Sequence, residues 1–323
     1  MCVGDDRVAA LRAVIDPARV LDDADLSGHT TLRVGGRAAA LVRAESHRDL
    51  AAVAEVARGT SSPWLVIGRG SNLLIADAGW PGIAVVLGRG FRGVEVDGGV
   101  VHAGAAEPMP ALARSVARQG LAGLAFGVAI PGTVGGAVRM NAGAHGGEMR
   151  DVLLWAEVAR MGADGALERW DAHRLGFSYR HSELADDAIV TRVALQLAPA
   201  GGDDIAAQMA EMRRWRREHQ PINEPSCGSV FRNPPGDSAG RLIEAAGLKG
   251  EQVGGARISD RHANFITVSP QACAADVLAL ILHAQRRVHE TAGVQLRTEV
   301  VLAGFDDGPG RGAPPGPPVE VTT

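Results

Sequence analysis

Residues 127–143 read GVAIPGTVGGAVRMNAG, five glycines with no charge before Arg139, and how this stretch is read decides the fold. The uncharged run 121–138 is close to the roughly 20 residues that a membrane span requires. Pro131 and Gly132 lie in its middle, however, and Gly135 and Gly136 follow, which makes a poor helix interior. The other reading is a loop of bare backbone whose N–H groups lie close to something bulky and negative.

The rest of the chain favours a soluble globular protein over a membrane or nucleic-acid protein. It has 323 residues, 46% hydrophobic and 22% charged, enough for two or three domains. A net charge of -4 disfavours a broad nucleic-acid footprint, and 4% aromatics disfavour stacking platforms for single strands. Cys2, Cys227 and Cys273 are odd in number and far apart, so neither a metal site nor a disulfide framework follows, and a reducing, cytoplasmic setting is expected. The N-terminus lacks the apolar core of a signal peptide, and no transmembrane segment is expected.

Periodicity predicts a short helix and then a loop over 7–25, a strand-like piece over 29–36, a strand over 39–43, and an amphipathic helix over 46–59 capped by Ser46. Strands are predicted at 64–67, 73–75 and 83–87, a hairpin over 94–102 turning at 97–99, and a helix over 110–118. Beyond the glycine-rich stretch come strands at 152–159 and 188–197 with a turn at 163–165, then a boundary near 199–203 and helices over 205–218, 239–246 and 276–292. The tail 306–323 is rich in proline and glycine and reads as disordered. Helices and strands are mixed without regular alternation, which favours α+β over a doubly wound sheet.

A second glycine loop, Gly68-Arg-Gly-Ser-Asn72, follows the strand at 64–67. It opens like a dinucleotide fingerprint, but Leu73 holds the third glycine position and a strand, not a helix, follows, so the Rossmann pattern is not met. Successive N–H groups in such a loop can still form a nest for phosphate, where a Cβ would hold the anion away. On the residues alone, a pair of tight turns and a pair of anion cradles both stand.

Taken together, the segments TTLRVGG (30–36), IGRGSNLLIAD (67–77), IPGTVGGAVRMNAGAHGGE (130–148), YRHS (179–182), QPINEPSCGSVFRNP (220–234), AGRLIEAAGLKG (239–250), GGARISDRHANFI (254–266) and EVVLAG (299–304) resemble the UDP-N-acetylenolpyruvoylglucosamine reductases. They occur in family order and cover nearly everything from Thr30 to Gly304; the chain lacks the insertion after Tyr179 of one subgroup, so the likeness is to the shorter, second type. The resemblance implies an α+β fold: a two-part FAD-binding region of the vanillyl-alcohol-oxidase type (1–92 and 93–204) and a smaller α+β substrate-binding domain (205–305). It implies FAD contacts at Arg69, Gly70, Ser71 and Asn72, and at Ile130, Pro131, Gly132, Thr133, Gly135, Gly136 and Asn141. It implies NADPH as co-substrate, a UDP-sugar carrying an enolpyruvyl ether as substrate, and a role in peptidoglycan precursor synthesis. No metal is implied, and a monomer is favoured.

Hydride addition to the β carbon of an enolpyruvyl group places negative charge on the α carbon and its carboxylate. Arg180 matches the family's catalytic arginine, and a planar guanidinium suits a carboxylate bidentately. Ser229 matches the proton donor, a weak acid able to protonate only a strongly basic, carbanion-like centre. Glu299 matches the third catalytic residue, and Tyr179, His219 and Asn233 the substrate contacts. Arg213, Arg214, Arg216 and Arg217 form either a solvated helix face or a cationic approach for the diphosphate. The chain departs from the family pattern at His29, Ala125, Ala129, Arg139, His145 and His219, several of them near the expected flavin or diphosphate. A paralogue with the same chemistry on another enolpyruvyl or nucleotide-sugar substrate, and a non-catalytic FAD-binding protein, are the alternatives.

Overall fold

A computed structural model describes residues 6–305. The predicted disorder at 306–323 and the thiol of Cys2 lie outside the described residues. Helix α1 (Asp6–Val14) leads into strand β1 (Val20–Asp25), and β2 (Arg37–Ala44) leads into α2 (His47–Gly59). The α2 start is a full capping box, Ser46 accepting from the Asp49 N–H and the Asp49 carboxylate from the Ser46 N–H, and Leu50, Val53, Ala54 and Ala57 are its buried stripe. With β3 (Trp64–Val66) and β5 (Trp80–Leu87), β1 and β2 form a sheet in the order β1-β2-β5-β3, antiparallel only at β1–β2.

Two expectations fail here in a linked way. Residues 20–25, expected as loop, form the edge strand β1; only Val20 and Ala24 are buried, and three aspartates among the six residues hide the pattern. Residues 29–36, expected as a strand, form none: Arg33 (φ 58°) and Gly35 (φ 118°) leave the extended region, and the Thr30 hydroxyl accepts from the Arg33 N–H. The alternation of Leu32 and Val34 that suggested a strand is instead an apolar plug, buried against residues of the C-terminal third.

The central sheet runs β12-β11-β13-β7-β6, antiparallel throughout, from β6 (Val94–Asp97), β7 (Val100–Gly104), β11 (Leu153–Arg160), β12 (Ala166–Asp171) and β13 (Ala188–Gln196). Helices α3 (Met109–Arg118) and α4 (Val134–Arg139) bury their apolar faces in its core. The glycine-rich stretch is therefore not wholly a loop. Thr133 caps α4 through the Gly136 N–H, and the Gly135 N–H donates to the Ala105 carbonyl, 2.9 Å away, at the end of β7. A Cβ on Gly135 would lie 3.0 Å from that of Ala105, so glycine here lets helix and sheet close up.

Two short ladders flank this sheet: β8 (Leu121–Ala122) with β14 (Ala198–Pro199), and β9 (Gly143–Ala144) with β10 (Gly147–Glu148). Helix α5 (Gly202–His219) buries Ile205, Met209 and Met212 in the central sheet's core. The remainder packs α6 (Ala239–Ala245) and α7 (Ala274–Ala292) with the small sheet of β15 (Gln252–Val253), β16 (Ala256–Ile258) and β17 (Ile266–Val268). The chain then returns: β18 (Val301–Ala303) pairs in parallel with β4 (Leu73–Ile75), directly after the first glycine loop. No helix among the described residues is long and apolar enough to cross a membrane.

Candidate active site

The two glycine loops, far apart in sequence, touch. A Cβ on Gly68 would come within 2.7 Å of the Thr133 hydroxyl, and one on Gly132 within 3.4 Å of the Ser71 hydroxyl. Gly70 (φ 58°) is pressed against the His29 carbonyl, where any Cβ would collide. Among the described residues, the backbone N–H groups of residues 68–72 and of Gly132 and Thr133 donate to no protein acceptor. Arg69 is exposed and makes no hydrogen bond or ion pair with another described residue. Bare N–H groups, a free guanidinium and no intruding side chains fit the pyrophosphate of a dinucleotide. Pro131 and Gly136 are exposed beside them, and Ile130 is half-buried.

Not every predicted cofactor contact has its side chain free. The Asn72 amide donates to the Glu299 carbonyl at 3.0 Å, and the Val301 N–H donates back to the Asn72 carbonyl. Asn141 is fully buried; its amide donates to the Ser178 carbonyl and to Glu148, and its oxygen accepts from the Arg150 N–H. Asn141 thus anchors the turn that carries Tyr179 and Arg180.

That turn brings the predicted catalytic residues together. Ser178 and His181 exchange backbone hydrogen bonds, which puts Arg180 at φ 56° and aims its guanidinium inward. Arg180 Nε lies 3.2 Å from Glu299 Oε1, and its Nη2 donates to the Gly143 carbonyl at 2.8 Å. Ser229 lies on the neighbouring extended segment: the Glu299 N–H donates to the Val230 carbonyl at 2.8 Å, and Phe231 bridges Thr298. The Ser229 hydroxyl has no hydrogen-bond partner among the described residues. Burial pushes the Glu299 carboxyl above its ordinary range, against the pull of Arg180 and then of Arg232.

The predicted substrate contacts are more scattered. Tyr179 is 46% exposed, with the Arg180 guanidinium 5.0 Å from its ring centre. Asn233 is exposed, but its oxygen accepts from the Ala239 N–H at the start of α6. His219 stacks on Trp215 at 4.6 Å, and its Nδ1 lies 2.8 Å from the Trp215 carbonyl; His145 meets the same indole edge-on at 5.2 Å. Burial, then Arg216, hold the His145 imidazole below its usual range. Of the arginine cluster, Arg214 pairs with Glu211 and Arg216 bonds Gln220, while Arg213 and Arg217 are exposed.

Among the positions that depart from the family pattern, Arg139 turns away from the glycine loops. Its guanidinium donates to the carbonyls of Leu184, Ala185 and Ala188, and burial holds its pKa down. Ala125 and Ala129 are buried apolar positions. Sequence reasoning missed Asn264, a buried asparagine that exchanges two hydrogen bonds with the Phe231 backbone and so holds the Ser229 segment; a lone amide in the run ANFI was its only signal.

Residues 38–170 match the family model described as an FAD binding domain, and residues 220–303 match the UDP-N-acetylenolpyruvoylglucosamine reductase C-terminal domain. The chain is 43% identical over 298 residues to UDP-N-acetylenolpyruvoylglucosamine reductase 2 of Symbiobacterium thermophilum, covering 92% of this chain and 96% of that protein. It is 40% identical over 288 residues to the Bacillus subtilis UDP-N-acetylenolpyruvoylglucosamine reductase, covering 88% and 94%. The crystal structure of UDP-N-acetylenolpyruvylglucosamine reductase from Thermus caldophilus superposes with a TM-score of 0.76 at 42% identity, covering 87% of this chain and 97% of that one.

Proposed function

This chain belongs to the UDP-N-acetylenolpyruvoylglucosamine reductase family, FAD-dependent oxidoreductases of peptidoglycan synthesis, and from that premise we propose how its own residues divide the work. When bound at this site, FAD would supply the hydride that reduces the enolpyruvyl ether of UDP-N-acetylglucosamine at its β carbon, with NADPH as the source of the reducing equivalents. The N–H groups of residues 68–72, Gly132 and Thr133, with Arg69, hold the cofactor's pyrophosphate. Ser71, Ile130 and Pro131 line the same cradle, Gly136 keeps it free of a side chain, and Gly70 and Gly135 let the two loops pack tightly against His29 and Ala105 behind it. Asn72 and Asn141 act by holding the catalytic segments.

Ser229 gives its hydroxyl proton to the α carbon: its O–H bond breaks as the new C–H bond forms, and the enolpyruvyl double bond becomes the lactyl single bond of UDP-N-acetylmuramate. Arg180 stabilises charge on the carboxylate side of that carbon, and Glu299 holds Arg180 in place. Tyr179, His219 and Asn233 border the path of the UDP moiety. The reading rests chiefly on one observation: Glu299, which leads into the strand pairing next to the first glycine loop, holds Arg180 on one side and bonds the segment of the unpartnered Ser229 hydroxyl on the other.

Nucleotide substrates made inside the cell support a cytoplasmic setting. The packing of α5 supports a boundary between the FAD-binding region and the substrate-binding domain after His219, later than the 204/205 division read from sequence.

The test is an anaerobic flavin titration. The wild-type flavin should bleach with NADPH and be reoxidised by the enolpyruvyl sugar. Ser229→Ala should bleach at a near-normal rate and lose about three orders of magnitude in reoxidation, the scale of a positioned acid. Equal loss in both half-reactions would remove Ser229 as proton donor.

A further inference from the structure

The Arg180 guanidinium has limited capacity left. Its Nε faces Glu299 at 3.2 Å and its Nη2 donates to the Gly143 carbonyl at 2.8 Å, so the two-pronged grip expected on the substrate carboxylate is partly committed to protein groups. In charge, too, Arg180 and Glu299 cancel. A carboxylate arriving beside them brings a negative charge with no cation left to meet it.

One cation nearby is unspent. The Arg232 N–H donates to the Arg297 carbonyl, and the adjacent Phe231 bridges Thr298, which sets Arg232 beside the strand that carries Glu299. Its Nε is buried without an acceptor, and the side chain forms no hydrogen bond or ion pair with another described residue. Only two other buried side-chain atoms among the described residues share that condition, Trp80 Nε1 and His102 Nδ1, and neither belongs to the site. Buried donors in native proteins are almost always satisfied, so the unpaired Nε marks Arg232, within electrostatic reach of Glu299, as a cation that no protein anion has engaged. Burial already holds the Arg232 pKa down, with Glu299 and Tyr179 opposing and Arg297 and Arg180 adding to the effect.

We propose that Arg232 is the second guanidinium of the substrate site and takes the enolpyruvyl carboxylate together with Arg180. This deepens the reductase reading and rests on it. The carboxylate hangs on the carbon that Ser229 protonates, and Ser229 and Arg232 share one extended segment, at most about 10 Å apart along the chain. The diphosphate lies a whole sugar ring away from that carbon.

Calorimetry on the oxidised, FAD-loaded enzyme tests this with two ligands: the enolpyruvyl UDP-sugar, and UDP-N-acetylglucosamine, which has the same diphosphate but no carboxylate. Arg232→Met should weaken the first about tenfold or more and the second less than about twofold, with Arg232→Lys between wild type and Met for the first ligand, because a lysine keeps the charge but not the fork. Equal weakening of both ligands would place Arg232 on the diphosphate and overturn the proposal, as would no weakening of either. Should the Met variant not hold FAD, the Lys variant decides with the same ligand pair, and loss of FAD from both would make Arg232 a structural residue. A wild-type enzyme that bound the enolpyruvyl sugar but was not reoxidised by it would instead refute the reductase reading.

Discussion

Asn141 shows what a single residue does that a motif does not reveal. The family likeness marks it as a cofactor neighbour, yet its side chain is enclosed, holding the Ser178 carbonyl, Glu148 and the Arg150 N–H at φ 40°. Asn141→Ala leaves those groups unpaired, and a stability loss of about 1–3 kcal/mol is expected from urea unfolding. Turnover should fall further than FAD content, since the Arg180 turn loses its anchor; unchanged turnover would reduce Asn141 to a packing residue. Cys227 gives a pH prediction. Burial, its largest cause, pushes the thiol up from 9.0 to about 12, so near neutral pH it stays protonated. In the native protein iodoacetamide should modify the half-buried Cys273 and leave Cys227 untouched until denaturant is added; rapid native labelling of Cys227 would contradict its burial. That Arg180, Glu299 and the Ser229 segment meet was legible because motif identity carries a side chain's type and place. The partners of Asn72, Asn141 and Arg139 were not, because each bonds backbone carbonyls brought close only by the fold.

Among the elements, the best-read were those whose caps and stripes agree. α2 has both its capping box and its apolar face, and α7 has Val277, Leu280, Ile281, Ala284 and Val288 buried at helical spacing. Where the signals conflicted the reading failed: β1 is too acidic to look like a strand, the plug at 29–36 alternates like one, and α4 starts in a glycine pair because Thr133 and the end of β7 satisfy its first N–H groups. The start of α7 could be seen only in part from its own sequence, through Asp276. Asp77, just after β4, accepts from the Ala274 and Ala275 N–H groups at 2.7 and 2.9 Å, a helix cap supplied from nearly two hundred residues away. Asp77→Ala should cost about 1 kcal/mol, and Asp77→Asn less, because an amide oxygen still accepts. Hydrogen exchange should rise first in the opening turn of α7; a variant as protected as wild type there would mean that Asp276, which accepts from the Cys273 N–H at 3.1 Å, suffices as cap.

At the scale of the whole molecule, the substrate end and the flavin end are stitched rather than merely adjacent. β18 pairs with β4 in parallel, the Asn72 amide holds the Glu299 carbonyl, and the Thr31 hydroxyl donates to the Ser226 carbonyl at 2.7 Å. The first glycine loop therefore shares hydrogen bonds with Glu299, the partner of Arg180, and displacing one displaces the other. Val301 isolates this link, because its side chain is 44% exposed while its N–H donates to the Asn72 carbonyl at 3.0 Å. Val301→Pro removes that donor with little change in buried apolar area, so a loss of about 2 kcal/mol or more in urea is expected, whereas Val301→Thr should stay within about 0.5 kcal/mol of wild type. Because Glu299 lies two residues upstream, the proline variant should lose enolpyruvyl-driven reoxidation far more than flavin reduction. Equal slowing of both half-reactions would show that the stitch maintains the fold alone and does not hold Glu299 against Arg180.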